Sequence, residues 1–439
     1  MSMKKSYQQA RRRDEAGDQS VVRRLGGVAL VLIALAVAAP FDSAAGLAQD
    51  RQEWPQFRGP GGQGQSSERG LPIEWSETKN VTWKVPVAGR GWSSPVVAGG
   101  RVWLTSATPV KKDTSLRLLA FDIETGRQTV DVEVFRLRES ALANAKNSHA
   151  SPTPIVDGDR VYVHFGAEGT AALSAAGAIL WKVRLPYQSQ HGNGGSPELA
   201  GDLLIVNCDG FDESFVAALD TRTGKTKWRT ERRQPYSQAY STPLAIRAGD
   251  RDQIVSVGAF NAFAYDPQTG KEIWRVGYPE GFSNVPRPVY GAGLVFITTG
   301  FQQPSLLAVR PDGKGDVTKT HVAWKISRGA PLTPSPLLAD DELYLVTDNG
   351  IASCLDARTG VVRWQQRLGN SFSASPVLAD GRIYFLDEDG RTTVLKPGQA
   401  FEPLAVNILE GPTLASMAVA ARSFVIRTAT HLYRITAGS

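Results

Sequence analysis

Beyond residue 80 the hydrophobic residues come in short runs rich in β-branched and aromatic side chains, separated by Gly and Asp. Four of these runs are Arg101–Leu104, Arg160–Val163, Leu343–Val346 and Arg382–Phe385. Short apolar runs of this composition, bounded by turn residues, predict β-strands. We therefore expect an all-β fold over residues 80–439.

A proline-centred phrase precedes most of these runs and returns along the whole chain. It stands at Ser94-Pro95, Thr153-Pro154, Ser196-Pro197, Thr242-Pro243, Arg287-Pro288, Ser335-Pro336 and Ser375-Pro376, with Ser416-Met417 in the last place. The spacing divides the chain into eight units.

The second half of each unit is equally regular. An Asp-x-x-Thr-Gly turn occurs at Asp122–Gly126, Asp220–Gly224, Asp266–Gly270 and Asp356–Gly360. Asp can accept a hydrogen bond from the backbone that follows it, and Gly permits positive φ, so each phrase predicts a turn between two strands. A tryptophan usually follows four residues after the Gly, as at Trp181, Trp228, Trp274 and Trp364.

Four short strands per unit, repeated eight times, predict an eight-bladed β-propeller of four-stranded antiparallel blades. The last unit, Ala415–Ile435, has room for only three strands, and Asn80–Pro86 is an unassigned strand ahead of the first unit. We expect this N-terminal strand to complete the last blade, which would leave no open end in the ring. Residues 49–79, with Trp54 and Phe57, are expected to form a strap on the outside of the ring.

Residues 1–48 have the layout of a secretory signal peptide. Seven basic side chains precede an apolar run over Val28–Ala39, which Pro40 ends and small residues follow. The alternative of a retained anchor is less favoured because the run is shorter than a membrane span. Arg23-Arg24 leaves both the general secretory and the twin-arginine routes open. We expect a periplasmic or cell-envelope protein with no stable span after cleavage.

Charge and cysteine content exclude further classes of protein. The formal net charge is +6, and half of it belongs to the leader, so the remainder has no basic face of the kind that binds nucleic acid. The two cysteines, Cys208 and Cys354, stand in different units. They are expected to be buried as small hydrophobic residues and not to form a disulfide. We expect a monomer.

The phrase Ala-x-Asp-x-x-Thr-Gly-x-x-x-Trp, at Ala218–Trp228 and Ala264–Trp274, resembles the repeat of pyrroloquinoline quinone (PQQ) dehydrogenases and of BamB-type outer-membrane assembly factors. The resemblance covers residues 80–439 and implies the propeller fold, but this fold carries unrelated activities. A BamB-type protein implies an envelope protein or peptide as partner. Those proteins are lipoproteins, and no lipid-bearing cysteine follows this leader, so recruitment to a membrane would require a protein partner.

The dehydrogenase resemblance implies a quinone between a tryptophan and a disulfide of adjacent cysteines, above a Ca²⁺ held by carboxylate and amide oxygens. This chain has no adjacent cysteine pair and lacks the long inserted loops of those enzymes. No cofactor is therefore expected, and PQQ with calcium belongs only to the alternative hypothesis. The acidic stretches Asp209–Glu213 and Asp387–Gly390 could bind Ca²⁺, but ordinary acidic turns are favoured.

Topology indicates where a site would lie. Loops that lead into the inner strands gather around one mouth of the central channel, and loops between the second and third strands rise beside them. The candidate ligand-binding residues on these loops are Arg90, Trp92, Asn147, His149, His191, Asn193, Tyr240, Arg287, Asp348 and Phe372. Their aromatic and polar side chains suit a polar ligand or a peptide. Polar turn residues around a water-filled channel are the alternative.

No catalytic residue or metal ligand can be assigned, because the five histidines lack metal-ligand spacing and no nucleophile motif is present. The leading hypothesis is an exported, non-catalytic propeller that acts as a binding or assembly platform in the cell envelope. The alternative is a PQQ-dependent oxidoreductase. A hydrolase is disfavoured because it lacks an assignable catalytic pair.

Overall fold

A computed structural model describes residues 52–138, 144–232, 238–279 and 281–438. Within these ranges the regular structure is almost entirely β-strand, with two short 3-10 helices at Pro60–Gly62 and Gly166–Glu168. The predicted signal peptide, residues 1–48, lies outside the described residues. No helix in the described ranges is long and apolar enough to cross a membrane.

The first four units of the sequence form four antiparallel blades, each with its first strand innermost. Blade 1 is Val96–Ala98, Arg101–Val110, Asp113–Asp122 and Gln128–Leu137; blade 2 is Ile155–Asp157, Arg160–His164, Thr170–Ser174 and Ile179–Val183. Blade 3 is Glu198–Ala200, Leu203–Asp209, Ser214–Asp220 and Thr226–Glu231; blade 4 is Leu244–Ala248, Arg251–Val257, Asn261–Tyr265 and Glu272–Gly277.

The remaining units complete the predicted ring of eight blades. Blade 5 is Val289–Gly291, Leu294–Thr298, Leu306–Val309 and Val322–Ile326; blade 6 is Leu337–Ala339, Glu342–Val346, Ile351–Asp356 and Val362–Arg367. Blade 7 is Val377–Ala379, Arg382–Leu386, Arg391–Leu395 and Pro403–Ile408; blade 8 is Ala418–Ala420, Ser423–Arg427, His431–Thr436 and, as outer strand, Val81–Pro86. Val81–Pro86 pairs antiparallel with His431–Thr436, so the predicted closure by the N-terminal strand is confirmed.

Short additional strands pair with strands of the blades or with each other. Gly315–Asp316 pairs in parallel with the outer strand of blade 4. Gly281–Phe282 pairs with Phe301–Gln302 beside the channel mouth, and Gln65–Ser66 pairs in parallel with the inner strand of blade 7.

The Thr-Gly turn and the tryptophan connect neighbouring blades. In blade 3, Asp220 Oδ1 accepts hydrogen bonds from the Thr223 backbone N–H at 2.9 Å and from its hydroxyl at 2.8 Å, and Gly224 has a φ of 70°. A Cβ at Gly224 would lie 2.5 Å from the ring of Trp181 in blade 2, whose Nε1 donates to the Thr221 carbonyl at 3.0 Å. The same ring-on-glycine contact joins Trp83 to Gly126, Trp228 to Gly270 and Trp324 to Gly360. These tryptophans are therefore wedges between blades, as predicted.

The expectation that the N-terminal segment, residues 52–79, lies outside the ring is wrong. Trp54 has no exposed surface and forms a β-bridge with Val97 of blade 1. Farther along the segment, Leu378 N of blade 7 donates to the Gly64 carbonyl at 2.8 Å. Between these two contacts, Arg287 Nη1 at the start of blade 5, which lies opposite blade 1 in a ring of eight, donates to the Phe57 carbonyl at 2.8 Å, so the segment crosses the central channel. The physical reason is that inner-strand edges leave unpaired backbone groups, which the segment satisfies.

The apolar core is divided into clusters between neighbouring blades. One cluster joins blades 7, 8 and 1 and includes Trp54 and Trp75 of the N-terminal segment. Trp75 stacks on Tyr384 of blade 7 at 6.1 Å and contacts Phe424 of blade 8 at 5.4 Å between ring centroids. Cys208 and Cys354 are buried and unpaired in blades 3 and 6, as predicted.

Candidate functional site

The repeated Ser/Thr residue has a function that the sequence did not reveal. Seven of these side chains accept a hydrogen bond of 2.9–3.1 Å from the backbone N–H at the same place in an adjacent blade. We call them the hydroxyl belt: Ser94, Thr153, Ser196, Thr242, Ser335, Ser375 and Ser416. The eighth place is occupied by Arg287, whose own N–H donates to Ser335 Oγ. The belt joins the inner ends of the blades around the channel.

A cavity of about 480 Å³ opens above the hydroxyl belt; we call it the channel cavity. All seven belt residues contribute to its floor, together with Phe57 of the N-terminal segment. Since that segment crosses the channel, the cavity is accessible from one mouth only. Its walls carry aromatic side chains, among them Phe301, which is 55% exposed.

Four of the ten predicted site residues line the channel cavity: Trp92, Asn147, His191 and Tyr240. They come from four consecutive interblade loops, which the inner strands hold side by side. Asn147 Nδ2 donates to the His191 carbonyl at 2.9 Å. The rings of His191 and Tyr240 lie 6.5 Å apart, and the Tyr240 hydroxyl donates to Gln238 Oε1 at 2.6 Å.

Two predicted residues, Asn193 and Arg287, are buried near the cavity without lining it. Asn193 Nδ2 donates to the Phe165 carbonyl at 2.8 Å and its Oδ1 accepts from the Tyr187 hydroxyl at 3.0 Å, so it fixes the loop behind the wall. Arg287 Nη2 donates to Glu198 Oε2 at 2.6 Å. Both side chains therefore lie behind the surface of the cavity.

The other four predicted residues, Arg90, His149, Asp348 and Phe372, do not line the cavity. Arg90 is exposed at the mouth and donates to the Ala145 carbonyl at 2.7 Å. Asp348 Oδ2 accepts the backbone N–H of Leu332 at 2.7 Å, and Phe372 is 1% exposed within the core between blades 6 and 7. His149 is half-buried in the loop that leads to blade 2.

Sequence reasoning missed several wall residues. Phe282 and Phe301 meet with ring centroids 5.7 Å apart, and Phe57 reaches the floor from the N-terminal segment. Phe301 lies in an insertion that breaks the repeat of blade 5, and such a break is the signal that could have identified it. Phe57 carries no local signal, because its neighbours in space are remote in sequence.

Three buried arginine residues contact belt residues or their immediate neighbours in sequence. Arg287 is paired with Glu198 and also donates from Nη1 to the Phe57 carbonyl at 2.8 Å. Arg58, 1% exposed, donates only to backbone carbonyls, and burial together with the charge of Arg287 lowers its pKa to about 9. Arg427, also 1% exposed, donates to Ser93 Oγ at 2.7 Å, and burial lowers its pKa to about 9. Burial raises the pKa of Glu198 despite its partner.

The acidic stretches are explained by local contacts. Asp209 pairs with Arg232 at 2.6 Å, both side chains being buried, and Asp387 Oδ1 accepts the backbone N–H groups of Asp389 and Arg391 at 3.0 and 2.8 Å. Within the described ranges no group of three or more His, Cys, Asp or Glu side chains could hold a metal ion. These stretches therefore act as a buried ion pair and a turn.

Comparisons with known proteins agree with this architecture. The family model described as outer membrane protein assembly factor BamB matches residues 64–194, 141–315 and 262–399. The structure of BamB from Moraxella catarrhalis is 15% identical, with a TM-score of 0.57 over 81% of this chain and 99% of that chain. A europium-containing methanol dehydrogenase is 11% identical, with a TM-score of 0.60 over 87% of this chain and 90% of that chain. No curated protein matches the chain in sequence. At these identities the solved structures share the fold alone.

Proposed function

The chain belongs to the family of the outer membrane protein assembly factor BamB, and from this premise we propose that it is a non-catalytic binding platform of the cell envelope. The partner is a protein or peptide that docks at the open mouth of the channel cavity. The leader over residues 1–48 supports export to the periplasm or cell envelope. Because no cysteine stands close to the end of that leader, attachment to a membrane would depend on the partner.

The composition of the channel cavity carries this proposal. Among the described residues that line it there is no Asp, Glu or Cys, and His191 is the one histidine. General acid–base or nucleophilic catalysis needs a second group beside such a histidine. The described walls offer aromatic and neutral polar surface instead, with Lys146, which is paired with Glu388, as their one Lys or Arg side chain. This surface favours binding over bond-breaking chemistry.

The mouth has the character of a protein interface. Phe301 is 55% exposed and contacts Phe282, which in turn lies 6.1 Å from Phe260. Exposed aromatic clusters surrounded by polar groups are enriched at sites where partners bind. Lys146 and Glu388 form a 2.8 Å ion pair at the same mouth and provide a polar rim.

The alternative of a quinone-dependent oxidoreductase receives no support from the residues of the cavity. The dehydrogenase arrangement needs carboxylates to hold Ca²⁺, and no described carboxylate lines the cavity. It also needs adjacent cysteines, whereas Cys208 and Cys354 stand in blades 3 and 6. The described residues therefore do not fit the cofactor.

Site-specific photo-crosslinking in cells tests the proposal. A benzophenone amino acid replaces Phe301 at the mouth or, as a control of similar exposure, Ile408 on the outer strand of blade 7; the two are 55% and 58% exposed. We expect discrete crosslinked protein bands in the envelope fraction from position 301 only, and their loss in a Trp92→Ala background. Equal crosslinking at both positions, or none at position 301, would contradict the proposal.

A further inference from the structure

The hydroxyl belt has hydrogen-bonding capacity that the fold leaves unused. A Ser or Thr hydroxyl has one O–H donor besides its acceptor lone pairs. Each belt hydroxyl accepts one backbone N–H, and among the described residues none of the seven donates to a protein acceptor. The belt residues are only 2–5% exposed, yet all border the cavity. Their O–H groups are therefore available to acceptor atoms on the channel axis.

The buried charges around this floor favour an anion. Arg58, Arg287 and Arg427 are all buried, and Glu198 is the one carboxylate that pairs with any of them in the described part of the chain. Arg58 donates to the Pro336 carbonyl at 2.6 Å, directly behind the belt. Buried cations without a counter-ion are costly, and an anion nearby lowers that cost.

The walls favour an apolar body on the same ligand. Phe57 forms part of the floor, and Trp92, Tyr240 and Phe282 stand around it. Trp92 Nε1 is buried and has no described acceptor, so a further unsatisfied donor belongs to a residue of the cavity wall. A pocket with convergent donors below and aromatic rings around it suits an acceptor group attached to an apolar side chain.

We propose that the hydroxyl belt is a receptor for a carboxylate borne on an apolar group. The inference rests on the proposed function, since it names the chemistry that the same cavity recognises. The carboxylate has two possible sources, the free C-terminus of a peptide or a free aromatic acid. A phosphate is disfavoured because no guanidinium group lines the cavity and its one ammonium group, Lys146, is already paired with Glu388 at the mouth; a cation is disfavoured because the floor presents donors.

Calorimetric titration of the purified full chain with matched probes tests the inference. The probes are acetyl-Ala-Leu-Phe with a free carboxylate, the same peptide as its amide, benzoate, and inorganic phosphate. We expect the free acid to bind at least tenfold more tightly than the amide, because only the acid places an anion on the belt. Competition by benzoate assigns the site to free aromatic acids as well, and its failure restricts the site to peptide termini.

A charge placed in the cavity separates this site from nonspecific binding. Ser283 lines the cavity and has a φ of 53°, while Ala292, in the blade 5 turn at the opposite end of the inner strand, has a φ of 51°. Asp and Asn tolerate this backbone conformation better than most residues. We expect Ser283→Asp to weaken binding of the acid at least tenfold, Ser283→Asn to weaken it less, and Ala292→Asp to leave it unchanged.

Equal affinity for acid and amide, an unaffected Ser283→Asp variant, displacement of the acid by inorganic phosphate, or no binding of any probe would each overturn the inference. The result is separable from that for the platform. Crosslinking at position 301 without carboxylate binding would refute this inference alone. Carboxylate binding without a crosslinked partner would refute only the proposed binding platform.

Discussion

Replacement of Glu198 by Gln is expected to be among the most destabilising single changes in the chain. Glu198 accepts from Arg287 at 2.6 Å and from the Ala245 N–H at 3.1 Å, while Arg287 also holds the Phe57 carbonyl. The pair therefore links blades 3 and 5 to the N-terminal segment. Glu198→Gln keeps the shape of the side chain but leaves Arg287 and Arg58 as two buried cations without a described carboxylate.

The expected loss follows from the cost of breaking a buried ion pair, about 3–5 kcal/mol. That is a large share of a typical folding free energy of about 5–15 kcal/mol. Arg287→Met should cost less, because an unpaired Glu198 can take up a proton whereas an unpaired guanidinium stays charged. The double variant should regain about 1–3 kcal/mol relative to Glu198→Gln, since it buries no unpaired cation at position 287.

The pH dependence of the stability of Arg287→Met is an independent test of this reasoning. Burial raises the pKa of Glu198 above its ordinary value of 4.5, so above pH 4.5 the folded chain binds more protons than the unfolded chain. Stability of this variant relative to wild type should therefore increase as the pH falls toward 4.5. Guanidinium unfolding followed by tryptophan fluorescence measures all four proteins. If Glu198→Gln unfolds at the wild-type midpoint, or the double variant is no more stable than Glu198→Gln, the reasoning about the buried pair is wrong.

Three further outcomes are expected. Trp54→Ala should destabilise by about 3–5 kcal/mol, more than Trp83→Ala, because Trp54 is fully buried and Trp83 half-buried; the reverse order of unfolding midpoints would contradict the position of the N-terminal segment. Cys208 and Cys354 should react with an alkylating reagent only after unfolding, since both are buried, and a native disulfide found by mass spectrometry would refute the blade assignment. The protein with PQQ and Ca²⁺ should show neither calcium-dependent quinone binding nor dye-linked alcohol oxidation, because no described carboxylate lines the cavity; turnover in that assay would favour the oxidoreductase.

The blades could be predicted because their determinants are local and repeat. The Asp220 turn depends on contacts within four residues, and its glycine is required both by φ and by the tryptophan that occupies the Cβ position. Eight copies of one pattern then leave few topologies open. The closure of the ring by Val81–Pro86 could be predicted by counting strands, because the last unit lacks one.

The path of the N-terminal segment could not be predicted from a local, repeating pattern. Arg58 donates to the Pro336 carbonyl across 278 positions of sequence, and the glycines around it show no periodicity that would indicate a partner. An Arg-Gly-rich stretch is typical of an exposed loop. Here the exposed inner-strand edges and the buried carboxylate at Glu198 determine its place, and neither is visible until the ring is closed.

Only part of the site could be predicted from the sequence, for a related reason. Strand order predicts that the loops of Trp92, His191 and Tyr240 lie at one mouth, and all three residues line the channel cavity. It could not give side-chain direction, so Phe372 was assigned to the mouth although it packs in the core. Arg287 was assigned to ligand binding although its charge is directed to Glu198 beneath the floor.

The hydroxyl belt explains how a structural repeat can acquire selectivity. Each inner strand presents a backbone N–H to its neighbour, and a hydroxyl side chain can accept that hydrogen and still offer its own proton to the channel. Closing the ring therefore produces a floor of donors whatever the protein binds. A floor with eight hydroxyls and no charge behind it would be expected only to hold water. In this chain Arg287 replaces one hydroxyl, pairs with Glu198 and donates to the Phe57 carbonyl of the N-terminal segment. This one interruption of the hydroxyl row brings the next residue of that segment, Arg58, behind the floor, and the anion preference that we propose depends on it.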